Sequence, residues 1–481
     1  MNQTKFQEFE PIFFPRSIAV VGASKDVRKT GHLYLKSLAD GDFKGKLYAV
    51  NPTGGEILGV RVFPSLSSIP ETVDYVIVNI PKRFILDLLD ECHTVGVKVA
   101  QIFSAGFSES GEAEGNELEM EIIQKAKSLG IRIIGPNCIG VYSPRQRMSP
   151  AWLLPPQAWE VGTVAFLCQS GGHTGFFIDL GLRRGIRFSK VVSFGNGNDL
   201  GSIDFLEYFG ADPETKIIGA YLEGMKDGPR FLQLVREISQ TKPIVIWKGG
   251  ITDAGARTAA SHTASLAGSD VVWRAGLKQS GAIKVESVEE LADTILAFQQ
   301  IRGFEGNRVA VIGGLVGAGG GASVAAADAC VRQGLDVPVL TEQTISRLKQ
   351  ILPAEGSIYQ NPVDVGAVVA MDLKRFADAV EAVFADPNVD VVIIHVPVTV
   401  LSLFFDKESL SPLIDILVNL RMTQGKPLII LSPSAPTGAG EELEKRCFEA
   451  RIPTYPTFEQ AAKAIANVIQ YWKFRSEVGQ G

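Results

Sequence analysis

Ser17-Ile-Ala-Val-Val-Gly-Ala-Ser24 decides the fold. An apolar, β-rich run passes directly into three small residues, which describes a buried strand that ends in a tight turn and hands over to a helix. The order recurs downstream. Leu47-Tyr-Ala-Val50, Tyr75-Val-Ile-Val-Asn-Ile80, Val97-Lys-Val-Ala-Gln-Ile-Phe103 and Ile131-Arg-Ile-Ile134 are further strand-like runs, separated by helix-length amphipathic stretches such as Leu118 to Leu129. Short buried strands alternating with helices predict an α/β protein built on parallel, doubly wound sheets. A Pro-rich passage from Ser143-Pro144 to Pro155-Pro156 and a break near Arg302-Gly-Phe-Glu-Gly-Asn307 divide it into three domains, 1–145, 158–302 and 306–476.

The second and third domains look like diverged copies. Gly162-Thr-Val-Ala-Phe-Leu167 followed by Ser170-Gly-Gly172 matches Asn307-Arg-Val-Ala-Val-Ile312 followed by Gly319-Gly-Gly321. Asp212-Pro213 matches Asp386-Pro387, Lys242-Pro243 matches Lys426-Pro427, and both copies close with a strand and a helix. Scaffold recurs in a duplication, whereas chemistry need not. Glu223 falls opposite Pro397, and no histidine of the third domain lies near the place matching His262. These two residues are specific to the second copy.

Composition narrows the function. The 481 residues are 46% hydrophobic and 21% charged, which suits substantial cores, and the net charge of −6 with no long basic run argues against a nucleic-acid surface. No apolar segment is long enough to span a membrane, and the N-terminus lacks a signal-peptide core, so a cytoplasmic protein with no membrane contact is expected. Five scattered cysteines with no C-x-x-C pair point to a reducing compartment and to neither zinc nor a disulfide frame.

Candidate sites follow from the turns. Gly22, Ala23 and Ser24 let backbone N–H groups approach a phosphate. The G-x-G-x-x-G fingerprint is absent, and the next strand ends in Val50-Asn51-Pro52 rather than in an acid for an NAD ribose, so a nicotinamide-dependent oxidoreductase is disfavoured. What remains is an ordinary βα turn or a site for another nucleotide, such as the ADP part of coenzyme A. Ser104-Ala-Gly-Phe107 and Gly135-Pro-Asn-Cys138 end later strands of the same domain and would gather at the same crevice. In the second domain, His262 lies in a stretch of Gly, Ala, Ser and Thr that reads as a shaped loop. It is either a solvent-exposed histidine or one with room for a ligand. Ser170, Gly171 and Gly172 and, in the third domain, Gly319, Gly320 and Gly321 each open a helix, and helix N-termini favour anions. Two such loops, a histidine and an unmatched carboxylate suit phosphoryl transfer through the imidazole, oriented by Glu223.

With these residues in place the chain resembles the α subunit of the NDP-forming acyl-CoA synthetases (the ADP-forming acetyl-CoA synthetase type), relatives of succinyl-CoA synthetase. The motifs run nearly end to end: Val20-Val-Gly-Ala-Ser24, Val50-Asn-Pro-Thr-Gly-Gly-Glu56, Ser104-Ala-Gly-Phe107, Gly135-Pro-Asn-Cys138, Gln169-Ser-Gly171, Tyr221-Leu-Glu-Gly224 and Ser261-His-Thr263 with Leu266-Ala-Gly-Ser-Asp270. The resemblance implies a CoA-binding Rossmann-like domain followed by two flavodoxin-like ligase domains. It implies the reaction acyl-CoA + phosphate + ADP ⇌ carboxylic acid + CoA + ATP, through an acyl phosphate and a phosphohistidine. His262 would be the phosphorylated residue, Glu223 its partner, and the two glycine loops the phosphate-holding helix ends. Coenzyme A would meet Gly22, Ala23, Ser24, Lys25, Val50, Asn51, Pro52, Ile80, Pro81, Ser104, Ala105, Gly106, Asn137 and Cys138. ADP or ATP and Mg²⁺ would sit on an ATP-grasp β subunit, in an α2β2 heterotetramer. The alternative is a non-catalytic CoA-binding or CoA-sensing protein that kept the fold.

Two departures stand out. Gly172-His173-Thr174 follows Gln169-Ser-Gly where the family usually carries Ala-Leu, and the loop Gly313 to Gly321 is longer and richer in glycine than usual. His173 reshapes the acyl pocket, contacts an acidic substrate, or faces solvent from the first turn of its helix. His395 lies inside an apolar run and reads as core. His32 either reaches coenzyme A or lies at the surface.

Overall fold

The computed structural model describes residues 3–150, 155–263, 269–301, 303–304, 306–315, 319–366, 372–403, 405, 407–432 and 438–479; the side chains of 3–5, 156–157, 260–263, 319, 407 and 439 are not described. Three sheets are present. The first contains β1 (Ser17–Val21), β2 (Lys46–Val50), β3 (Gly55–Ile57), β4 (Val60–Phe63), β5 (Tyr75–Val78), β6 (Val99–Ile102) and β7 (Arg132–Ile134), in the order β3-β4-β2-β1-β5-β6-β7. The second contains β8 (Gly140–Tyr142), β9 (Val164–Cys168), β10 (Phe188–Ser193), β11 (Ile217–Leu222), β12 (Ile244–Lys248) and β13 (Ile283–Val285), in the order β13-β12-β11-β9-β10-β8. The third, wholly parallel, contains β14 (Val309–Gly313), β15 (Val363–Asp364), β16 (Val391–His395), β17 (Leu428–Leu431) and β18 (Thr454–Tyr455), in the order β15-β14-β16-β17-β18.

The antiparallel exceptions lie at edges. Leu58 (φ +52°) and Gly59 (φ +76°) turn β3 back on β4, and two consecutive left-handed residues make the tight hairpin turn that matches strand twist. β8 lies within the segment assigned by sequence to the first domain, yet it pairs antiparallel with β10.

The chain forms two compact units, Met1–Leu291 and Ala292–Gly481. In the first, one apolar cluster joins both sheets, from Ile18, Val20 and Tyr34 to Val192, Phe205 and Leu222. N-terminal aromatics reinforce it: Phe9 and Phe13 stack on Tyr208 at 5.0 and 5.1 Å, a geometry worth about 0.5–1.5 kcal/mol per pair beyond burial. Arg132 of β7 forks onto Asp199, which also accepts the Ile133 N–H at 2.7 Å. In the second unit the helix Phe458–Gly479 is tied to Asp293 and Thr294 by Gln460 Nε2 to Asp293 Oδ2 and Asn467 Nδ2 to Thr294 Oγ1, both 2.9 Å. Among the described residues, no helix is long and apolar enough to cross a membrane.

Candidate functional site

β1 lies between β2 and β5, so the strand order reverses there, and open α/β sheets bind ligands at such a switch point, outside the carboxyl ends of the strands. Gly22 ends β1 at φ +87°, where a Cβ would run into the Asn79 carbonyl oxygen across the switch; only glycine fits. The Gly22 and Ala23 N–H groups donate to the Val50 carbonyl at 3.0 and 3.3 Å. Asn51 Nδ2 donates to the Ala23 carbonyl at 2.8 Å, and its Oδ1 accepts the N–H and hydroxyl of Thr53. The asparagine therefore braces the turn where a nicotinamide-binding fold places its acid. Lys25 and Pro52 are exposed beside it. Ser104 Oγ donates to the Ile80 carbonyl at 2.6 Å, Lys82 Nζ donates to Gly106 at 2.6 Å, and the Asn137 N–H donates to Ser104 at 3.0 Å, with Pro81 and Ala105 exposed between them. One end of one sheet thus gathers Gly22 to Lys25, Val50 to Pro52, Ile80, Pro81, Ser104 to Gly106 and Asn137.

Cys138 is set apart from them. It is 3% exposed, its Sγ faces the Ile134 and Ile102 carbonyls, and burial pushes the thiol up to about 12. His32 is neither at the surface nor free: it is buried, with Nδ1 2.9 Å from the Ser24 carbonyl, and pins the turn from behind. Sequence reasoning missed Asn79. Both polar atoms of its amide are buried without a hydrogen-bond partner among the described residues, and its place at the end of β5 was the available signal.

In the second sheet, the helix Gly171–Arg183 starts at the carboxyl end of β9 with Ser170 as its N-cap, and Gly172 is exposed. Across β11, Glu223 is 8% exposed and held on several sides. Gln169 Oε1 accepts the N–H groups of Glu223 and Gly224 at 2.9 and 3.3 Å, Lys248 Nζ donates to the Glu223 carbonyl at 2.8 Å, and the Tyr221 hydroxyl donates to Oε1 at 3.1 Å. The other oxygen, Oε2, is buried with no partner among the described residues. A buried carboxylate oxygen without a donor is costly, so this one is poised to receive an N–H. Burial pushes Lys248 down to about 8 against the pull of Glu223. It pushes the Tyr221 phenol up, so that group stays a donor.

Residues 253–263 form a helix, Asp253–Thr263, rather than the loop expected from their small size. Ala254, Ala256, Ala259 and Ala260 explain the difference, since alanine is the strongest helix former. His262 occupies the last turn; its side chain, and residues 264–268 after it, lie outside the described residues. The helix packs against the turn Ser108–Ser110, which follows β6 of the first sheet. Between the two sheets, a cavity of about 500 Å³ is walled by Ser108, Gln169, Phe194, Asn196, Gly224 and Met225, among others. It touches both the Ser108 turn and Gly224, the residue after Glu223. In the second unit the helix Gly319–Arg332 begins at the second glycine loop, with Gly320 and Gly321 in its first turn; residues 316–318 lie outside the described residues. His395 is buried, and desolvation holds it below the usual histidine range, as a core residue requires.

Comparison with known proteins gives two family matches, a CoA binding domain over residues 16–144 and a succinyl-CoA ligase like flavodoxin domain over residues 161–298. The chain is 36% identical over 463 residues to the α subunit of acetate–CoA ligase [ADP-forming] II of Pyrococcus furiosus, covering 96% of this chain and 97% of that one. It is 39% identical over 384 residues to acetate–CoA ligase [ADP-forming] I of Archaeoglobus fulgidus, covering 80% of this chain but only 54% of that longer protein. The dinucleotide-forming acetyl-coenzyme A synthetase 1 of Ca. Korarchaeum cryptofilum, solved with phosphate and ADP, superposes with a TM-score of 0.83 at 32% identity over 98% of both chains.

Proposed function

The chain belongs to the ADP-forming acetate–CoA ligase family, as an α-type chain, and on that premise we propose that it is the α subunit of an acid–thiol ligase. The reaction is acyl-CoA + phosphate + ADP ⇌ carboxylic acid + CoA + ATP. Phosphate attacks the thioester carbonyl, the carbon–sulfur bond breaks and an acyl phosphate forms. The His262 imidazole then attacks phosphorus, the acid leaves as its carboxylate, and the phosphoryl group passes from the histidine to ADP.

Each assignment has a physical support. Ser170, Gly171 and Gly172 present a helix N-terminus to the phosphate; the same role is carried over to Gly319, Gly320 and Gly321 from the resemblance alone. The observation that carries the reading is Oε2 of Glu223, a buried acceptor without a partner among the described residues, on a residue held by Tyr221, Gln169 and Lys248 in the copy that bears the histidine. Such a carboxylate favours one imidazole tautomer and stabilises the charged ring formed during transfer. Coenzyme A fits the first-sheet crevice, where Gly22 leaves the backbone bare and the Asn79 amide has no partner among the described residues. Cys138 supports that site from below as packing.

We further assign ADP or ATP and Mg²⁺ to an ATP-grasp β subunit, an α2β2 assembly and a cytoplasmic location; the α-subunit names of the Pyrococcus relatives support the partner. The test is substitution with the partner present. His262→Ala should abolish acyl-CoA-dependent ATP synthesis while CoA titration is unchanged; retention of full synthesis refutes the route, since acid–base participation alone accounts for about 10²–10⁴-fold.

A further inference from the structure

The proposed reaction gives His173, in the first turn of the helix Gly171–Arg183, no task. Its ring has three partners. Nδ1 lies 3.0 Å from Ser170 Oγ, which also accepts the His173 backbone N–H at 3.4 Å. One face stacks on Tyr221 with centroids 4.5 Å apart and planes at 17°, and Trp247 packs steeply tilted against both rings, 4.8 Å from His173 and 4.6 Å from Tyr221. Tyr221 is the residue that donates to Glu223 Oε1. A continuous chain of contacts therefore runs from Ser170 through His173 and Tyr221 to Glu223, linking the helix end to the carboxylate.

We propose that His173 is a positioning residue of the phosphate site, fixing the Ser170 hydroxyl with Nδ1 and bracing the Glu223 carboxylate through Tyr221. The inference rests on the phosphohistidine reading above. A serine hydroxyl at a helix N-cap rotates freely, and its oxygen is occupied by the first-turn amide. When the ring carries its proton on Nδ1, Oγ accepts twice, and its own proton must point away from the ring, towards an anion in front of the helix. When Nδ1 is bare, the hydroxyl turns to it and leaves the anion one donor short. Phosphate binding thus selects the Nδ1–H form. The third-sheet copy carries Ala322 and Leu431 at the positions of His173 and Trp247, and Pro397 at that of Glu223, so the cluster is specific to the copy that bears the chemistry.

Two variants of the full chain, assayed with its partner subunit, ADP and inorganic phosphate, decide the matter. H173F keeps the stack and loses Nδ1; H173N places an amide near Nδ1. H173F should raise the KM for phosphate about tenfold or more while kcat stays within about threefold, and H173N should recover most of the loss, the scale expected for one hydrogen bond to a charged group. An unchanged phosphate KM in H173F, or an H173N as poor as H173F, overturns the proposal. Titration with CoA, which loads the first sheet, reports whether each variant is folded; should H173F fail, H173Q, whose amide reaches the place of Nε2 instead, takes its part. Glu223→Gln runs alongside: loss of phosphorylation there with a normal H173F sinks only the role of His173, whereas full phosphorylation in Glu223→Gln sinks the underlying reading.

Discussion

Glu223 is the residue on which the chemistry turns. Its main chain is clamped by Gln169 and Lys248 and one oxygen by Tyr221, while Oε2 is buried with no partner among the described residues. Glu223→Gln keeps the shape and removes the charge, and should slow phosphorylation of the chain about 10–100-fold, measured by rapid quench, with little change in stability. Lys248 offers a pH test. Its folded pKa of about 8 lies below the ordinary lysine value of 10.5. Between those limits the unfolded chain holds a proton that the folded chain has released, so this group's contribution to stability rises with pH across that window. The five buried cysteines, each pushed up to about 12, act in the opposite sense from about pH 9. The difference between Lys248→Met and the parent isolates the lysine: denaturant midpoints should diverge in favour of the parent as pH goes from 8 to 10.5, and parallel curves would contradict the assignment. At Gly22 sterics decide. Gly22→Ala forces both a positive φ and a collision with the Asn79 carbonyl, and should cost about 1–3 kcal/mol and most CoA binding, read by denaturation and calorimetry. Glu223 was legible because the duplicated copy carries proline there; Asn79 and the ring contacts of His173 were not, because they depend on which strands become neighbours.

The duplicated landmarks acquire a structural meaning at the level of elements. Lys242 Nζ donates to the Asp212 carbonyl at 2.6 Å, and Lys426 Nζ donates to the Asp386 carbonyl at 2.8 Å. In each copy a lysine before one strand thus clasps the Asp-Pro turn before its neighbour. The glycine-loop helices match as well, Asp179–Arg183 pairing in one as Asp328–Arg332 pairs in the other. Strand periodicity was readable in the first sheet for β1, β2, β5, β6 and β7. The hairpin of β3 and β4 was not, because its glycines read as a binding motif, and β8 was not, because three residues carry too little pattern to name a partner. The helix around His262 was hidden by small residues that suit a loop and a helix equally. One element has a sharp energetic test. Lys190 of β10 is 1% exposed and donates to Asp212 at 2.7 Å and Glu214 at 2.9 Å. Removing it leaves the buried Asp212 carboxylate without its cation, so Lys190→Ala should lose about 3–5 kcal/mol in denaturant unfolding, whereas a loss below about 1 kcal/mol would mean that water replaces the lysine.

On the scale of the whole molecule, two units divide the cores, and the proposed CoA crevice, Glu223 and the His262 helix all fall within Met1–Leu291. Fold class and family were legible because strand, turn and helix repeat along the chain and the motifs keep their order; the joining of the first two sheets was not, since it depends on Phe9 and Phe13 meeting Tyr208, residues far apart in sequence. Saturating CoA should slow amide hydrogen exchange at the carboxyl ends of β1, β5 and β6 and leave β14, β16 and β17 unchanged; uniform protection across all three sheets would contradict a crevice confined to the first. The central claim is phosphoryl transfer through His262, and it has one direct measurement: intact-mass and peptide mapping after incubation with the ATP-grasp partner, Mg²⁺ and ATP at neutral to alkaline pH. The account predicts an acid-labile gain of one phosphate on the peptide that contains His262. A peptide without phosphate, in a chain that still binds CoA, would contradict it and leave a CoA-binding protein without the ligase chemistry.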